Sequence, residues 1–304
     1  MNSSRSTASP IRSRLAILAA AALFSTGGAA IKAASLTSWQ VACFRSGIAA
    51  LAVLVFLPAA RRGIRPRTLA VGVAYAATLI LFVRANKLTT SANSIFLQST
   101  APLYVLLLAP LILREKFRAR DLGFVAAIGA GLLMFFVGSE QPWATAPDPF
   151  QGNVVAVLSG LTWAATVMGL RGMARGEGAT GSAAITAVLT GNTIAFLACL
   201  PWALPIPQPA FRDVLVLVYL GVFQIGLAYV FLARGMRHVG ALDASLLLLV
   251  EPVLNPIWAW LVQGERPGAW ALGGGALIIG ATALRSWIDY RAAPPRQDAV
   301  MLRD

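Results

Sequence analysis

From Leu15 to the neighbourhood of Ile288 the sequence is a succession of apolar runs of roughly bilayer length, separated by short polar joints that are often broken by Pro or Gly. Crossing about 30 Å of hydrocarbon takes about 20 helical residues, and a helix satisfies its own backbone donors and acceptors within lipid. Runs of that length, repeated, predict an all-α polytopic membrane protein. Charged residues make up only 12% of the chain against 58% hydrophobic, whereas a soluble domain carries roughly a quarter charged residues. Too little polar surface is available to coat such a molecule in water.

The runs predict ten transmembrane helices, near residues 15–34, 39–57, 68–86, 91–112, 120–137, 152–170, 182–200, 213–233, 241–262 and 269–288. Arg12 and Arg14 ahead of an alanine-rich run resemble a signal peptide, whose apolar core is about 7–15 residues. Here the apolar character continues from Leu15 to about Ala34, long enough to span, so the segment is read as a retained helix. Lys and Arg near span ends favour the cytoplasmic side. A cytoplasmic N-terminus puts 19 of the 25 basic residues inside and leaves Lys32, Arg84, Lys87, Arg212 and Arg266 outside, with Arg45 within a span. Both termini are therefore expected to be cytoplasmic, in a bacterial inner membrane. Losing one helix from the count would invert every later loop and export the basic 285–303 tail.

The net charge of +13 lies in these joints and forms no basic patch with interleaved aromatics, which argues against nucleic acid as a partner. Cys43 and Cys199 both sit in apolar runs, so neither a disulfide framework nor a thiolate metal site is expected. The single histidine, His238, lies in a joint; there is no HExxH zinc helix and no nucleophile with a histidine partner, so an enzyme and a resident cofactor are not expected. A channel calls for rings of like residues, and the joints are too short for a receptor's docking surface.

Displaced by 150 residues, the sequence aligns with itself without a gap: Arg84 with Arg234, Lys87 with Arg237, Leu97 with Leu247, Pro102 with Pro252, Glu115 with Glu265, Lys116 with Arg266 and Gly123 with Gly273. Copies five spans apart lie in the bilayer with opposite polarity. Inverted repeats build many secondary transporters, with the substrate site where the halves meet; duplication kept for packing alone is the competing reading. The predicted organisation is a tail at 1–14, a first five-helix repeat at 15–137, a periplasmic linker at 138–150, a second repeat at 151–288 and a tail at 289–304.

The residues carrying the repeat resemble the drug/metabolite transporter superfamily, in the ten-helix branch built from two EamA-type repeats. They are Ser25 to Lys32 with its terminal Ala-Ala-Ile-Lys, the pair Phe44-Arg45, Arg114-Glu115-Lys116, Leu249-Val250-Glu251-Pro252 and Gly264-Glu265-Arg266. Within that branch the chain looks most like the YddG-type exporters of aromatic and other amino acids. The resemblance implies a basket-like bundle around a central cavity lined by helices 1, 3, 4, 6, 8 and 9, alternating access, and a small-molecule substrate. One departure stands out: Ala101 precedes Pro102 where Glu251 precedes Pro252, so any role of that acid is not duplicated.

A polar solute needs hydrogen-bonding groups inside otherwise apolar spans. Tyr75, Thr78, Leu79 and Phe82 recur at spacings that share one helical face; Gln224 and Tyr229 lie at related positions of the eighth span, and Ser159 with Trp163 are four apart in the sixth. Trp163 could stack on an aromatic or apolar side chain, while Gln98, Ser99, Ser159 and Gln224 could meet amino and carboxylate groups. Packing between helices competes with this reading for each hydroxyl. Pro102 and Pro252 are candidate hinges, since a mid-span proline frees a carbonyl. Glu251 could carry a coupling proton, pair with Arg45 or cap backbone; Arg45 could contact a substrate carboxylate or snorkel to the outer face. The small-residue stripes Gly123, Ala127, Gly131 and Ala276, Gly280 suit close packing or a homodimer face. Among carriers, an exporter of cationic drugs or other metabolites is the alternative to an amino-acid exporter. A phosphate-bearing substrate would want several buried basic residues, and only Arg45 qualifies.

Overall fold

The computed structural model describes residues 10–61, 65–112, 120–138, 141–176, 182–206, 209–236, 239 and 241–292. Arg114, Glu115, Lys116 and His238 lie outside the described residues. Among those described, the only β pairing is an isolated bridge between Trp143 and Ala146; every longer element is a helix. In chain order the helices are α1 (Pro10–Ser25), α2 (Gly27–Ala33), α3 (Ser38–Phe56), α4 (Pro66–Leu88), α5 (Ser91–Gln98), α6 (Ala101–Ile112), α7 (Arg120–Val137), α8 (Pro149–Gly176), α9 (Ser182–Ala203), α10 (Phe211–Val218), α11 (Ala228–Gly235), α12 (Ala241–Leu248), α13 (Val250–Gln263) and α14 (Ala269–Ala292).

Eight stretches are long and apolar enough to cross a bilayer: Ile11–Ala33, Ser38–Phe56, Pro66–Leu88, Pro149–Met173, Ala183–Ala203, Phe211–Gly235, Asp243–Gln263 and Ala269–Asp289. The two other stretches read from the sequence as spans are helical but fall short of that measure. Residues 91–112 divide into α5 and α6, and the apolar part of α7, Asp121–Val137, is shorter. Large apolar side chains such as Leu51, Val55, Leu133, Val137, Leu261 and Leu284 are exposed on the outside, where a bilayer rather than water suits them.

Local chemistry explains where the helices start, stop and break. Thr37 caps α3 in a reciprocal capping box with Gln40, Thr90 caps α5, and Gly264 ends α13 with φ 70°, a left-handed conformation that glycine adopts without a Cβ penalty. The first span breaks at Thr26, where Ser25 Oγ and Thr26 Oγ1 donate to the carbonyls of Ala22 and Leu23. A second break falls at Ser99 and Thr100, whose hydroxyls donate to the Ile95 and Leu97 carbonyls just ahead of Pro102. Its repeat equivalent, between α12 and α13 at Leu249, falls just ahead of Pro252. Between α10 and α11, Tyr219–Leu227 winds as a π-helix. Such wider, under-wound turns are frequent at functional sites.

The halves interdigitate rather than sit side by side. α4 packs along both α8 and α9, α3 along α9, α14 along α7, and α1 against α11 and α13. Side chains at the middle of α4 are consequently enclosed by the other half of the chain.

Candidate functional site

At that interface an aromatic chain crosses the bundle. Tyr229 OH on α11 donates to Tyr75 OH on α4 at 2.9 Å. The Tyr75 ring lies 6.2 Å from Trp163 on α8 and 6.3 Å from Tyr229, and Phe24 on α1 meets Tyr229 edge-on at 5.3 Å. Four helices from both halves thus contribute one ring each. Leu79, one turn beyond Tyr75, belongs to the same packed cluster, and Phe82 continues the stripe.

A polar group adjoins it. Gln98 Nε2 donates to Ser159 Oγ at 2.7 Å, Ser159 Oγ reaches the Thr78 carbonyl at 3.4 Å, and Thr78 Oγ1 bonds Thr162 Oγ1 at 3.0 Å. Helix α8 comes this close because residue 160 is glycine: a Cβ there would lie 3.0 Å from the Leu97 carbonyl oxygen. Gln224, on the π segment, donates to the Phe24 carbonyl at 3.3 Å, and its Oε1 is buried without a partner. Tyr75, Leu79, Phe82, Gln98, Ser159, Trp163, Gln224 and Tyr229 therefore share one neighbourhood. Ser99 bonds its own Ile95 carbonyl instead.

The two mid-span charges do not pair. Arg45 is 2% exposed and keeps a buried Nε without a partner, so it does not snorkel to either face. Glu251 lies on the face of α13 that also carries Asn255 and Trp258, and Trp258 Nε1 donates to Ser25 Oγ at 2.9 Å. No ion pair joins the two charges among the described residues.

At one end of the bundle a polar seal joins the halves. Lys32 Nζ pairs with Glu265 Oε1 at 2.7 Å and donates to the carbonyls of Thr89, at 2.8 Å, and Thr145. Glu265 Oε2 accepts the Ser91 amide at 2.9 Å. Nearby, Asp213 accepts from Ser35 N and Oγ at 2.7 and 2.6 Å, and Lys87 Nζ donates to the Ala34 carbonyl at 2.6 Å. Just inside the seal, Gly28 lets α2 touch α5 and α13: a Cβ there would lie 2.9 Å from Ser91 Oγ and Asn255 Oδ1. In the sequence, Lys32 counts among the outside charges and Glu265 aligns with Glu115 of the other repeat, with nothing to pair the two. The available signal was a lysine closing an apolar run and an acid kept at the equivalent position of both repeats.

Comparison with known proteins agrees with this architecture. An uncharacterized transporter from Bacillus subtilis (strain 168), YdfC, is 35% identical over 97 residues, which span 32% of this chain and 32% of that protein. The match thus covers about a third of the relative's length. A solved protein crystal structure aligns with a TM-score of 0.59 at 20% identity, covering 89% of this chain and 96% of the other, a likeness of fold alone. The sequence model of the EamA-like transporter family matches twice, over residues 12–137 and 150–287. Those two matches take in most of the chain, which belongs to the EamA-like transporter family and is a multi-pass membrane transporter rather than an enzyme.

Proposed function

We propose that the chain exports amino acids, aromatic and other neutral ones, across a bacterial inner membrane by alternating access between two antiparallel five-helix repeats. The carrying observation is the ring cluster of Phe24, Tyr75, Trp163 and Tyr229, contributed by both halves and flanked by the Gln98–Ser159 hydrogen bond. Such a site offers aromatic faces to an apolar side chain and hydrogen bonds to a polar head. Trp163, Tyr229, Gln98 and Glu251 face neighbouring helices and yet keep part of their surface accessible, as a solvated internal pocket requires.

The two family matches, over 12–137 and 150–287, support the repeat reading, and the gapless alignment at an offset of 150 residues supports an odd number of spans per copy. Breaks at equivalent places ahead of Pro102 and Pro252 supply each half with one hinged helix. With the basic joints and both termini in the cytoplasm, the Lys32–Glu265 seal faces the periplasm.

Purified protein in proteoliposomes tests the reading. Labelled phenylalanine and a panel of other neutral amino acids are expected to accumulate faster than in empty vesicles and to compete with one another. Absence of uptake for every amino acid, from protein that is folded and monodisperse, rejects it.

A further inference from the structure

Arg45 is the eighth residue of α3, roughly 10 Å along the helix from its start at 1.5 Å per residue, and it is among the largest fully buried side chains of the protein. Among the described residues its guanidinium makes no hydrogen bond and no ion pair, and its Nε is buried without an acceptor. A cation held within the bilayer costs about 3 kcal/mol by the lowest scales, so such residues pair with something or mark a transport path.

The buried acids Glu265 and Asp213 have partners of their own. Glu265 is committed to Lys32 and Ser91, and Asp213 to Ser35. Glu251 makes no ion pair with the guanidinium among the described residues. Cys43 and Cys199, the nearby thiols, are free and buried. An anion that arrives and leaves would complete the site. A planar guanidinium is shaped to hold a carboxylate through two parallel hydrogen bonds, and Ala49, one turn after Arg45 on the same face of α3, packs in the cluster that holds Tyr75, Trp163 and Tyr229.

We propose that Arg45 is the carboxylate anchor of the transport site, binding the α-carboxylate of the substrate beside the Tyr75–Tyr229 hydroxyl pair while Trp163 receives the side chain. This rests on the reading of the chain as an amino-acid carrier. It makes the negative group of the substrate, not only its side chain, a condition of tight binding.

Binding of phenylalanine, phenylalaninamide and phenethylamine, followed by tryptophan fluorescence on wild type, Arg45→Lys and Arg45→Gln, tests the assignment. Wild type is expected to prefer the acid over the amide and the amine by at least about tenfold. In Arg45→Gln that preference disappears while the affinity for the amide stays within about twofold of wild type. Arg45→Lys keeps the charge and loses the two-pronged contact, so the acid weakens about tenfold and the amide does not; this variant carries the test if the glutamine protein fails to fold. Equal weakening of acid and amide in either variant overturns the proposal, as does a tenfold acid preference that survives in Arg45→Gln. A wild type that transports phenylalanine and binds its amide equally well overturns the anchor alone. A wild type that neither binds nor transports any amino acid overturns the amino-acid reading beneath it.

Discussion

Lys32 Nζ lies 2.7 Å from Glu265 Oε1, and both side chains are 2% exposed. One comes from the end of the first span and the other from the joint after α13, so the pair ties together the two segments matched separately by the family model. Removing one partner of a buried pair leaves an uncompensated charge, at about 3–5 kcal/mol. Lys32→Met and Glu265→Gln should each lower the thermal midpoint of the purified protein, and the double variant should recover part of the loss. A coupling of about 1–3 kcal/mol between the sites, read from a double-mutant cycle, is expected; strictly additive losses would show that the seal does not depend on the pair.

Gly152 on α8 abuts the same end. A Cβ at that position would lie 2.6 Å from the Thr89 amide nitrogen and 2.9 Å from the Leu88 carbonyl carbon, both backbone atoms that cannot swing aside. Gly152→Ala should therefore destabilise the protein by about 1–3 kcal/mol, the usual cost of overpacking, despite the better helix propensity of alanine. Gly172, with nothing within 4 Å of its would-be Cβ, is the control, and Gly172→Ala should be neutral or slightly stabilising by thermal melt.

The ring at Trp163 is assigned to the substrate's side chain. Trp163→Ala should weaken aromatic substrates relative to aliphatic ones by about 1 kcal/mol, the scale of one aromatic contact, or about fivefold in the ratio of their competition constants. Uniform loss across the panel would assign Trp163 to packing.

Glu251 separates the amino-acid reading from export of cationic drugs. A cationic drug without a carboxylate would need this acid, so Glu251→Gln should abolish transport of such a compound. The amino-acid reading expects neutral amino acids still to move in that variant. Uptake of a lipophilic cation by wild type that vanishes in Glu251→Gln, without amino-acid transport in either protein, would favour the alternative.

Much of the fold is legible in the sequence because lipid imposes a single demand, a self-satisfied helix of sufficient length. The apolar runs mark the helices to within a few residues, and Pro102 and Pro252 lie next to real breaks. The break at Thr26 and the π-helix at Tyr219–Leu227 are not legible, since hydroxyls bonding back to their own helix and one under-wound stretch leave no mark in hydropathy. That Tyr75, Leu79 and Trp163 pack in one cluster is legible from the spacing of the first two and the depth of the third. The Lys32–Glu265 pair is not, because its members are 233 residues apart and each reads as an end-of-span charge. Arg45 illustrates a limit of the snorkelling rule, which assumes that the side chain can reach an aqueous face; at 2% exposed it stays enclosed.

Under the proposed alternating access, the end sealed by Lys32 and Glu265 opens during transport. Spin labels at Ala144 and Arg266, both exposed and each next to a residue of the seal, report that opening by electron–electron resonance, and the two native cysteines are buried away from the labelling reagent. One short, narrow distance is expected for the unloaded protein, with a second, longer population appearing when amino acid is present at saturation and growing in Lys32→Met. A single unchanged distance under conditions where transport is measured would contradict it.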